Sequence, residues 1–290
     1  MKRKVVLAFL LTGALVLSGC SKTNNSNETS SGSTSTDSSA QGIDVSNMFS
    51  DRDKEIGYDE ENSTVIKLSD DSTTCDSDAV QISGNTVTII DEGTYILSGT
   101  LTDGMVIVDA EDTDKVQLVL DGVDITSAES AAIYVREADK VFITTASDSQ
   151  NTLTNGGTYT AIDDNNIDAA IFSKSDLTLN GAGSLTITAK AGHGVVSKDD
   201  LVLTSRTYQI DAASHGLSGK DSVRIAGGSY TIVSGKDGIH AENADDTSLG
   251  FVYLADGTFD ITSDGDGISA GNWLQADGGV YTCLLYTSPS

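Results

Sequence analysis

The residues of this 290-residue chain that could do chemistry are mostly carboxylates, and several recur at a regular spacing. Asp237 and Asp266 each lie two residues before an isoleucine that begins a repeated unit, and Asp264 stands beside the second. Carboxylates stacked in successive units would repel one another unless a cation or a proton intervened. Calcium suits such turns because it takes about six to eight oxygen ligands. These three residues are therefore predicted to bind Ca²⁺.

A second acidic group is the run Asp163, Asp164, Asn165, Asn166 and Asp168. The run lacks the glycine and the terminal glutamate of an EF-hand loop, so that motif is excluded. Its alternating oxygen donors still suit calcium, and we predict metal ligands at positions 163, 164, 166 and 168. A solvated acidic turn without metal is the alternative for both groups.

Lysines and aromatic residues supply a carbohydrate-binding hypothesis. Lys174, Lys198 and Lys220 each fall three residues after the first apolar position of a unit. Stacked ammonium groups could hold a uronate, or one could act as the base of polysaccharide lysis, although charge balance with acidic neighbours is the favoured interpretation. Tyr253 and Trp273 alternate with inward leucines, so both are predicted to face outward as platforms for sugar rings.

Two further ladders follow from the same spacing. His193 and His215 occupy the ladder position of Asp237 in consecutive units, and we interpret them as stacked imidazoles that fill a turn rather than as catalytic residues. Tyr208, Tyr230 and Tyr281 are predicted to point into the core. A polar ladder lies four residues after each first apolar position: Ser175, Asp199, Asp221, Asn243 and Asn272.

All of these positions belong to a repeat of about 22 residues that begins at Ile171. Apolar residues recur at matching offsets in successive units: Ile171, Leu177, Leu179, Leu185 and Ile187; Val195, Leu201, Leu203, Tyr208 and Ile210; Leu217, Val223, Ile225, Tyr230 and Ile232. Units of this length with pairs two residues apart indicate three short strands joined by Gly, Asp, Asn and Ser turns. The repeat predicts an all-β fold, a parallel β-helix in which each strand pairs with its counterpart in the next coil.

The repeat also divides the chain. Coils are predicted over 101–282, with looser early units and a long insertion from about Ala146 to Asp168, and residues 43–100 are predicted to form an N-terminal cap that closes the solenoid. Residues 283–290 break the repeat and contain the only proline, so we expect a chain truncated in mid-coil with a tail foreign to the fold. Cys75 and Cys283 give no basis for a disulfide.

The N-terminus is typical of an exported lipoprotein. A basic start and an apolar run form a signal peptide, and Leu17-Ser18-Gly19-Cys20 resembles a lipobox, so residues 1–20 are predicted to direct lipidation of Cys20. Residues 21–42, rich in Ser, Thr and Asn, are predicted to be a flexible linker. The expected location is the cell surface, with membrane attachment through the lipid anchor only.

Net charge limits the partners. At −26 with no cluster of Lys and Arg beyond the first four residues, the chain is not expected to bind nucleic acid. A neutral partner, or one bridged by cations, fits this charge better.

Several ordered motifs resemble a known family. Val106 to Ala110, Val116 to Gly122, Ala170 to Gly183 and the Lys236-Asp237-Gly238-Ile239 turn resemble the bacterial carbohydrate-binding domain family typified by a clostridial cellulose-binding surface protein. The resemblance spans about residues 60 to 282. It implies a right-handed parallel β-helix related to pectate lyases, calcium in the turns, and binding of cellulose and polygalacturonate without secure enzymatic activity. Family members commonly continue through more coils than this chain contains.

Three functional hypotheses follow. The first is a surface lipoprotein that binds plant-type polysaccharide, cellulose or pectin, through a β-helix stabilised by calcium. The second is a calcium-dependent polysaccharide lyase, and the third is a structural or adhesive stalk.

Overall fold

The computed structural model of the protein describes residues 43–285, almost all of which lie in short strands and turns. The predicted signal peptide and lipobox with Cys20, the linker at 21–42 and the last five residues of the predicted tail lie outside the described residues. Within 43–285, no helix reaches the length and hydropathy of a membrane span.

The elements of the first half are α1 (Asp51–Lys54), β1 (Thr64–Leu68), β2 (Val80–Ser83), β3 (Thr86–Ile89), β4 (Gly93–Leu101), β5 (Met105–Asp109), β6 (Lys115–Ser127), β7 (Ile133–Glu137), β8 (Lys140–Thr145) and β9 (Gln150–Asn155). The remaining strands are β10 (Ala169–Ser173), β11 (Asp176–Gly181), β12 (Ser184–Ala189), β13 (His193–Ser197), β14 (Asp200–Leu203), β15 (Thr207–Ala212), β16 (Leu217–Gly219), β17 (Ser222–Ile225), β18 (Ser229–Ser234), β19 (Ile239–Ala241), β20 (Phe251–Leu254), β21 (Thr258–Ser263), β22 (Ile268–Ala270), β23 (Leu274–Ala276) and β24 (Val280–Leu285).

These strands form the three faces of a parallel β-helix. The back face contains β3, β5, β7, β10, β13, β16, β19 and β22. A second face, called here the strap face, contains the first half of β6 with β8, β11, β14, β17, β20 and β23; the open face contains the second half of β6 with β9, β12, β15, β18, β21 and β24. The predicted all-β solenoid is confirmed.

Inward side chains stack in columns along the axis because neighbouring coils pair in register. Tyr208 lies opposite Tyr230, which lies opposite Phe259 and then Tyr281. Their rings stack with centroids 5.0, 4.9 and 4.9 Å apart. Tyr208, Tyr230 and Phe259 are fully buried, as the repeat predicts. This aromatic column packs beside aliphatic columns from the other two faces.

Residues 48–55, called here the strap, do not belong to the repeat. They cross several coils of the strap face. The Asp53 carboxylate is buried, 2.8 Å from Lys140 Nζ, and accepts a hydrogen bond from Thr178. Burial alone would raise the pKa of Asp53, but the hydrogen bonds from Lys140, Thr178 and Ser50 hold it at about 2. Asn180 Nδ2 donates to the Asp53 carbonyl at 3.1 Å. The strap thereby links coils of the strap face in addition to the backbone hydrogen bonds of the sheet.

The predicted insertion is shorter than the sequence suggested. We predicted that 146–168 interrupts the coils, but β9 lies inside that range and pairs in parallel with β12. The strand escaped notice because Asn151, which is buried, stands where the repeat has the apolar Leu185. The remaining segment, 156–168, packs Ile167 and Tyr159 against an apolar cluster on the outer side of the back face.

At both ends of the solenoid, coil strands extend past the boundaries that the sequence predicted. Within the predicted cap region, β1 pairs in parallel with β4, β3 with β5 and β4 with β6, so parallel ladders begin at Thr64. At the other end, Cys283 to Leu285 continue β24 opposite Ile261 to Ser263. The described cysteines, Cys75 and Cys283, are not bonded to each other.

Removing the Asp53 carboxylate should release the strap. Asp53→Ala leaves Lys140 buried without its partner, so we expect the free energy of unfolding to fall by about 3 kcal/mol. Trypsin should then cleave after Arg52 and Lys54 in otherwise folded protein. In Glu55→Ala, which alters an exposed side chain of the same segment, the loss should stay below about 0.5 kcal/mol. Urea denaturation and timed trypsin digestion measure both effects, and equal resistance of the two variants would contradict this role.

Candidate functional site

The histidine turn is the turn that leads from each open-face strand to the next back-face strand, residues 190–193, 213–215, 235–237 and 264–266. It stacks His193, His215, Asp237 and Asp266 in the order that the repeat predicts. The backbone N–H of His215 donates to His193 Nδ1 at 3.3 Å, that of Asp237 donates to His215 Nδ1 at 3.1 Å, and that of Asp266 donates to Asp237 Oδ1 at 2.8 Å. The side chains of His193, His215 and Asp237 thus each accept a backbone donor from the next coil.

Glycine follows each of these ladder residues for a steric reason. A Cβ on Gly216 would lie 2.6 Å from the Gly238 carbonyl oxygen, and a Cβ on Gly238 would lie 2.6 Å from that of Gly267. The backbones of successive turns therefore approach too closely for any side chain. This close approach brings the ladder side chains within hydrogen-bond range of the next turn.

The imidazoles of this turn are stacked, as the sequence predicts for His193 and His215. Their ring centroids lie 5.1 Å apart. His240, on β19, continues the stack at 4.2 Å from His215. Burial lowers the pKa of His193 and of His215 to about 4, and the neighbouring positive charges act in the same direction. Both rings are therefore neutral near pH 7, with Nδ1 assigned as the hydrogen-bond acceptor.

The three carboxylates predicted to share calcium at this turn have different surroundings. Asp237 is half-buried, and its Oδ2 lies 2.9 Å from His240 Nδ1 and 3.5 Å from His215 Nδ1. Asp266 and Asp264 are exposed. The structure brings Asp237 and Asp266 into adjacent coils, but it surrounds Asp237 with imidazole nitrogens as well as oxygens.

The second predicted metal group does not gather into one loop. Asp163 accepts hydrogen bonds from Tyr134 Oη at 2.8 Å and from Arg136 Nε at 3.1 Å, so its carboxylate is already neutralised. Asp164 and Asn166 are exposed. Asp168 lies apart from Asp163, 3.9 Å from His193 Nε2. Its Oδ1 is buried and has no hydrogen-bond partner among the described residues.

An acidic turn that the sequence placed on a ladder, but not in a metal site, offers oxygen donors. It connects each back-face strand to the next strap-face strand. Asn243 Nδ2 donates to Asp221 Oδ1 at 2.6 Å, and the Asp199 carboxyl group lies close enough to that of Asp221 for their charges to interact. Burial, with the charges of Asp176 and Asp221, raises the pKa of Asp199 to about 6. The spacing that identified Asp237 and Asp266 also placed these residues on a ladder, but the sequence did not mark them as metal ligands.

The lysine ladder lies beside the acidic turn. Lys220 Nζ pairs with Asp245 Oδ2 at 2.9 Å, which supports charge balance for this residue. Lys198 Nζ lies 5.3 Å from the centroid of the Phe172 ring, over its face. Lys174 is exposed in the preceding coil. The three ammonium groups therefore do not share one partner.

The aromatic platforms predicted on the strap face are altered by the strap. Tyr253 faces outward as predicted, but only 5% of its surface is exposed. Phe49 packs against it with ring centroids 5.9 Å apart, and the Tyr253 hydroxyl donates to Asp277 at 2.8 Å. Trp273 is half-buried and stacked on Phe251 at 4.3 Å. The expectation that Tyr253 offers a free ring face is therefore corrected, because Phe49 of the strap covers this ring, a contact that no local sequence pattern indicates.

The open face borders the histidine turn, which joins it to the back face. Its outward side chains are exposed or half-buried, and most are hydroxyl or amide groups. They are Gln150, Thr152, Thr154, Ser184, Thr186, Thr188, Thr207, Gln209, Asp211, Ser229, Thr231, Val233, Thr258, Asp260 and Thr262, with Asp124 and Thr126 of β6 and Val280, Thr282 and Leu284 of β24. The charged members of this set are Asp124, Asp211 and Asp260. The strap and segment 156–168 lie on the other two faces.

The sequence matches the family model of the carbohydrate-binding domain-containing proteins over residues 83–288. The chain belongs to this family. A carbohydrate-binding domain-containing protein of Acetivibrio thermocellus is 38% identical over 208 residues, which are 71% of this chain and 73% of that protein.

The fold is also similar to a solved structure. The polysaccharide lyase-like protein from C. thermocellum, solved as a gadolinium derivative, superposes with a TM-score of 0.69 at 34% sequence identity. The match covers 78% of this chain and 97% of that one. Family membership and the similarity of fold agree with the resemblance read from the motifs.

The raised pKa of Asp199 predicts that the contribution of this residue to stability decreases as the pH rises. Because the folded state binds this proton more tightly than the unfolded chain does, its contribution to stability is full below about pH 4 and is lost as pH rises through about 6. In EDTA, Asp199→Asn should therefore raise the melting temperature at pH 7.5 and flatten its decline between pH 4 and 7. Thermal melts across pH test this, with Asp264→Asn at an exposed turn as the matched control. An unchanged pH profile in Asp199→Asn would refute the assignment.

Proposed function

We propose that the protein binds a polysaccharide along the open face, as a lipid-anchored surface protein of the carbohydrate-binding domain family. The observation that carries the proposal is the open face itself. It presents parallel rows of hydroxyl and amide groups at the coil spacing of about 4.8 Å, on a chain whose own segments cover parts of the other two faces. A polymer of sugar residues offers hydroxyls in an equally regular row.

Charge favours the same surface. The chain as a whole is strongly acidic, with net charge −26, whereas Asp124, Asp211 and Asp260 are the charged residues among the described outward side chains of the open face. The low density of charge on this face limits both the repulsion of an anionic glycan and the desolvation of charge. Cellulose is the first proposed ligand, and polygalacturonate, bridged by cations, is the second.

Calcium is proposed as the stabilising ion, and the acidic turn fits it best. Asp199, Asp221 and Asn243 supply oxygen donors in successive coils, and carboxylates crowded together are relieved by a divalent cation. Asp264 and Asp266 remain candidates because both are exposed. Asp163 fits less well, since Arg136 and Tyr134 already engage its carboxylate. The solved relative is a gadolinium derivative, and gadolinium, like calcium, is a hard cation that prefers oxygen.

The lipid anchor at Cys20 completes the proposal. The linker at 21–42 would lead directly into the strap, so the anchored end would lie on the strap face. That arrangement would leave the open face free to meet an extracellular polymer. Radiolabelled palmitate incorporation, compared with Cys20→Ala, tests this part separately.

Retention on insoluble glycan tests the binding proposal. We expect the protein to be retained on cellulose or on a polygalacturonate gel in calcium. The double change Gln209→Glu with Thr231→Glu should reduce retention at least about fivefold, the effect of losing about 1 kcal/mol of hydrogen bonding. Thr113→Glu, at an exposed turn outside this face, is the matched control. No retention on either glycan defeats the function, whereas retention unaffected by the double change defeats only the placement.

Calcium binding is tested by calorimetry and melting. Calcium should raise the melting temperature of the protein at pH 7.5, and the double change Asp199→Asn with Asp221→Asn should abolish most of that rise. Asp163→Asn should retain it, because that carboxylate is held by protein groups. A calcium response that survives in the first variant would exclude the acidic turn as the site.

A further inference from the structure

All three histidines of the 290-residue chain meet at one place. His193 and His215 stack in successive histidine turns, and His240 stacks on His215 from the neighbouring strand β19. Two of them are explained by the ladder of backbone hydrogen bonds, because each accepts an N–H from the next coil. The ladder does not explain His240, since Asp237 already occupies the ladder position of that coil.

The three side chains nearest one another form a donor set of mixed type. Asp237 Oδ2 lies 2.9 Å from His240 Nδ1 and 3.5 Å from His215 Nδ1. One donor atom from each residue lies within 4.8 Å of the other two. The side chains are 12–19% exposed, so the set is sheltered by the turn yet reachable from solvent.

Groups around this donor set orient it. Asp266 N–H donates to Asp237 Oδ1, which leaves Oδ2 directed at the two imidazoles. Glu242 Oε2 lies 3.6 Å from His240 Nε2, on the far side of the ring from Asp237. In the metal-free protein the 2.9 Å contact between His240 Nδ1 and Asp237 Oδ2 requires a proton between them, and a metal bound at Nδ1 would leave that proton on Nε2 instead. Glu242 lies just beyond hydrogen-bond range, and a small movement of this exposed side chain brings it to Nε2, which gives the carboxylate–histidine pair that is usual at metal sites.

We propose that His215, Asp237 and His240 form a binding site for a divalent transition metal of the zinc type. Two imidazoles and one carboxylate match the ligands that zinc, nickel and copper prefer, whereas calcium prefers oxygen alone. Three protein ligands leave a coordination position for water or for a hydroxyl of a bound molecule.

Binding at this site has an identifiable opposing contribution. His215 Nδ1 accepts the Asp237 N–H in the structure, so the metal replaces that hydrogen bond or requires a small rotation of the ring. The affinity should therefore be lower than at a preformed three-histidine site. The histidine turn directly follows the open-face strands, so a metal here would lie at the edge of the proposed glycan surface.

Titration with Co²⁺ and Zn²⁺ tests the site. We expect one equivalent of Co²⁺ to give d–d absorption bands that Zn²⁺ displaces and that excess Ca²⁺ does not. His240→Gln and Asp237→Asn should each abolish these bands. Glu242→Gln, a change at an exposed side chain, should weaken Zn²⁺ binding by about 10- to 100-fold in calorimetry.

His193→Gln is the matched control. It removes a stacked imidazole of the same ladder but keeps a hydrogen-bond acceptor, and its contacts do not include Asp237, so Zn²⁺ affinity should be unchanged. Far-ultraviolet circular dichroism is used to check that each variant is folded. The proposal fails if the protein binds neither metal, if binding survives in His240→Gln, or if His193→Gln loses it equally. Glycan retention is measured independently, so failure here leaves the proposed function untouched.

Discussion

The in-register hydrogen bonding of each coil to the next is the constraint on which the rest of this molecule depends. A parallel strand of three to six residues satisfies its backbone groups only through its neighbours above and below, so a shift in one coil would misplace every side chain of that coil. Register fixes the inward aromatic column from Tyr208 to Tyr281. It equally fixes the outward rows on the open face and the contacts of Asp237 in the histidine turn.

Segments outside the repeat determine which surfaces remain available. The strap covers the strap face through the buried carboxylate of Asp53, and segment 156–168 covers the apolar outer side of the back face around Tyr134 and Phe172. Both segments bind outward side chains that a bare solenoid would expose. The open face has no such cover among the described residues and is mostly polar, with three outward aspartates and no outward Lys or Arg, so a hydroxyl-rich polymer suits it better than a protein partner with an apolar surface.

The sequence predicted what periodicity controls. The coils after Ile171, the inward tyrosines and the stacking of His193 on His215 all follow from equal spacing, because equal spacing becomes vertical alignment once the chain coils. Contacts between distant, non-repeating residues were not accessible in this way. Nothing local marks Asp53 as the partner of Lys140 and Thr178, or Phe49 as the neighbour of Tyr253. His240 was missed because it lies three residues after Asp237, which occupies in its coil the ladder position that the other two histidines hold in theirs.

Pulsed electron paramagnetic resonance across the open face tests the register most directly. Nitroxides would be attached through Thr152→Cys and Asp260→Cys, with the native cysteines replaced by serine. These positions face the same way and are linked by pairing through Thr186, Gln209 and Thr231. The account predicts one narrow distribution near the spacing of four coils, about 19 Å. A broad distribution, or a mean far above that distance, would contradict the stacked coils on which every site described above rests.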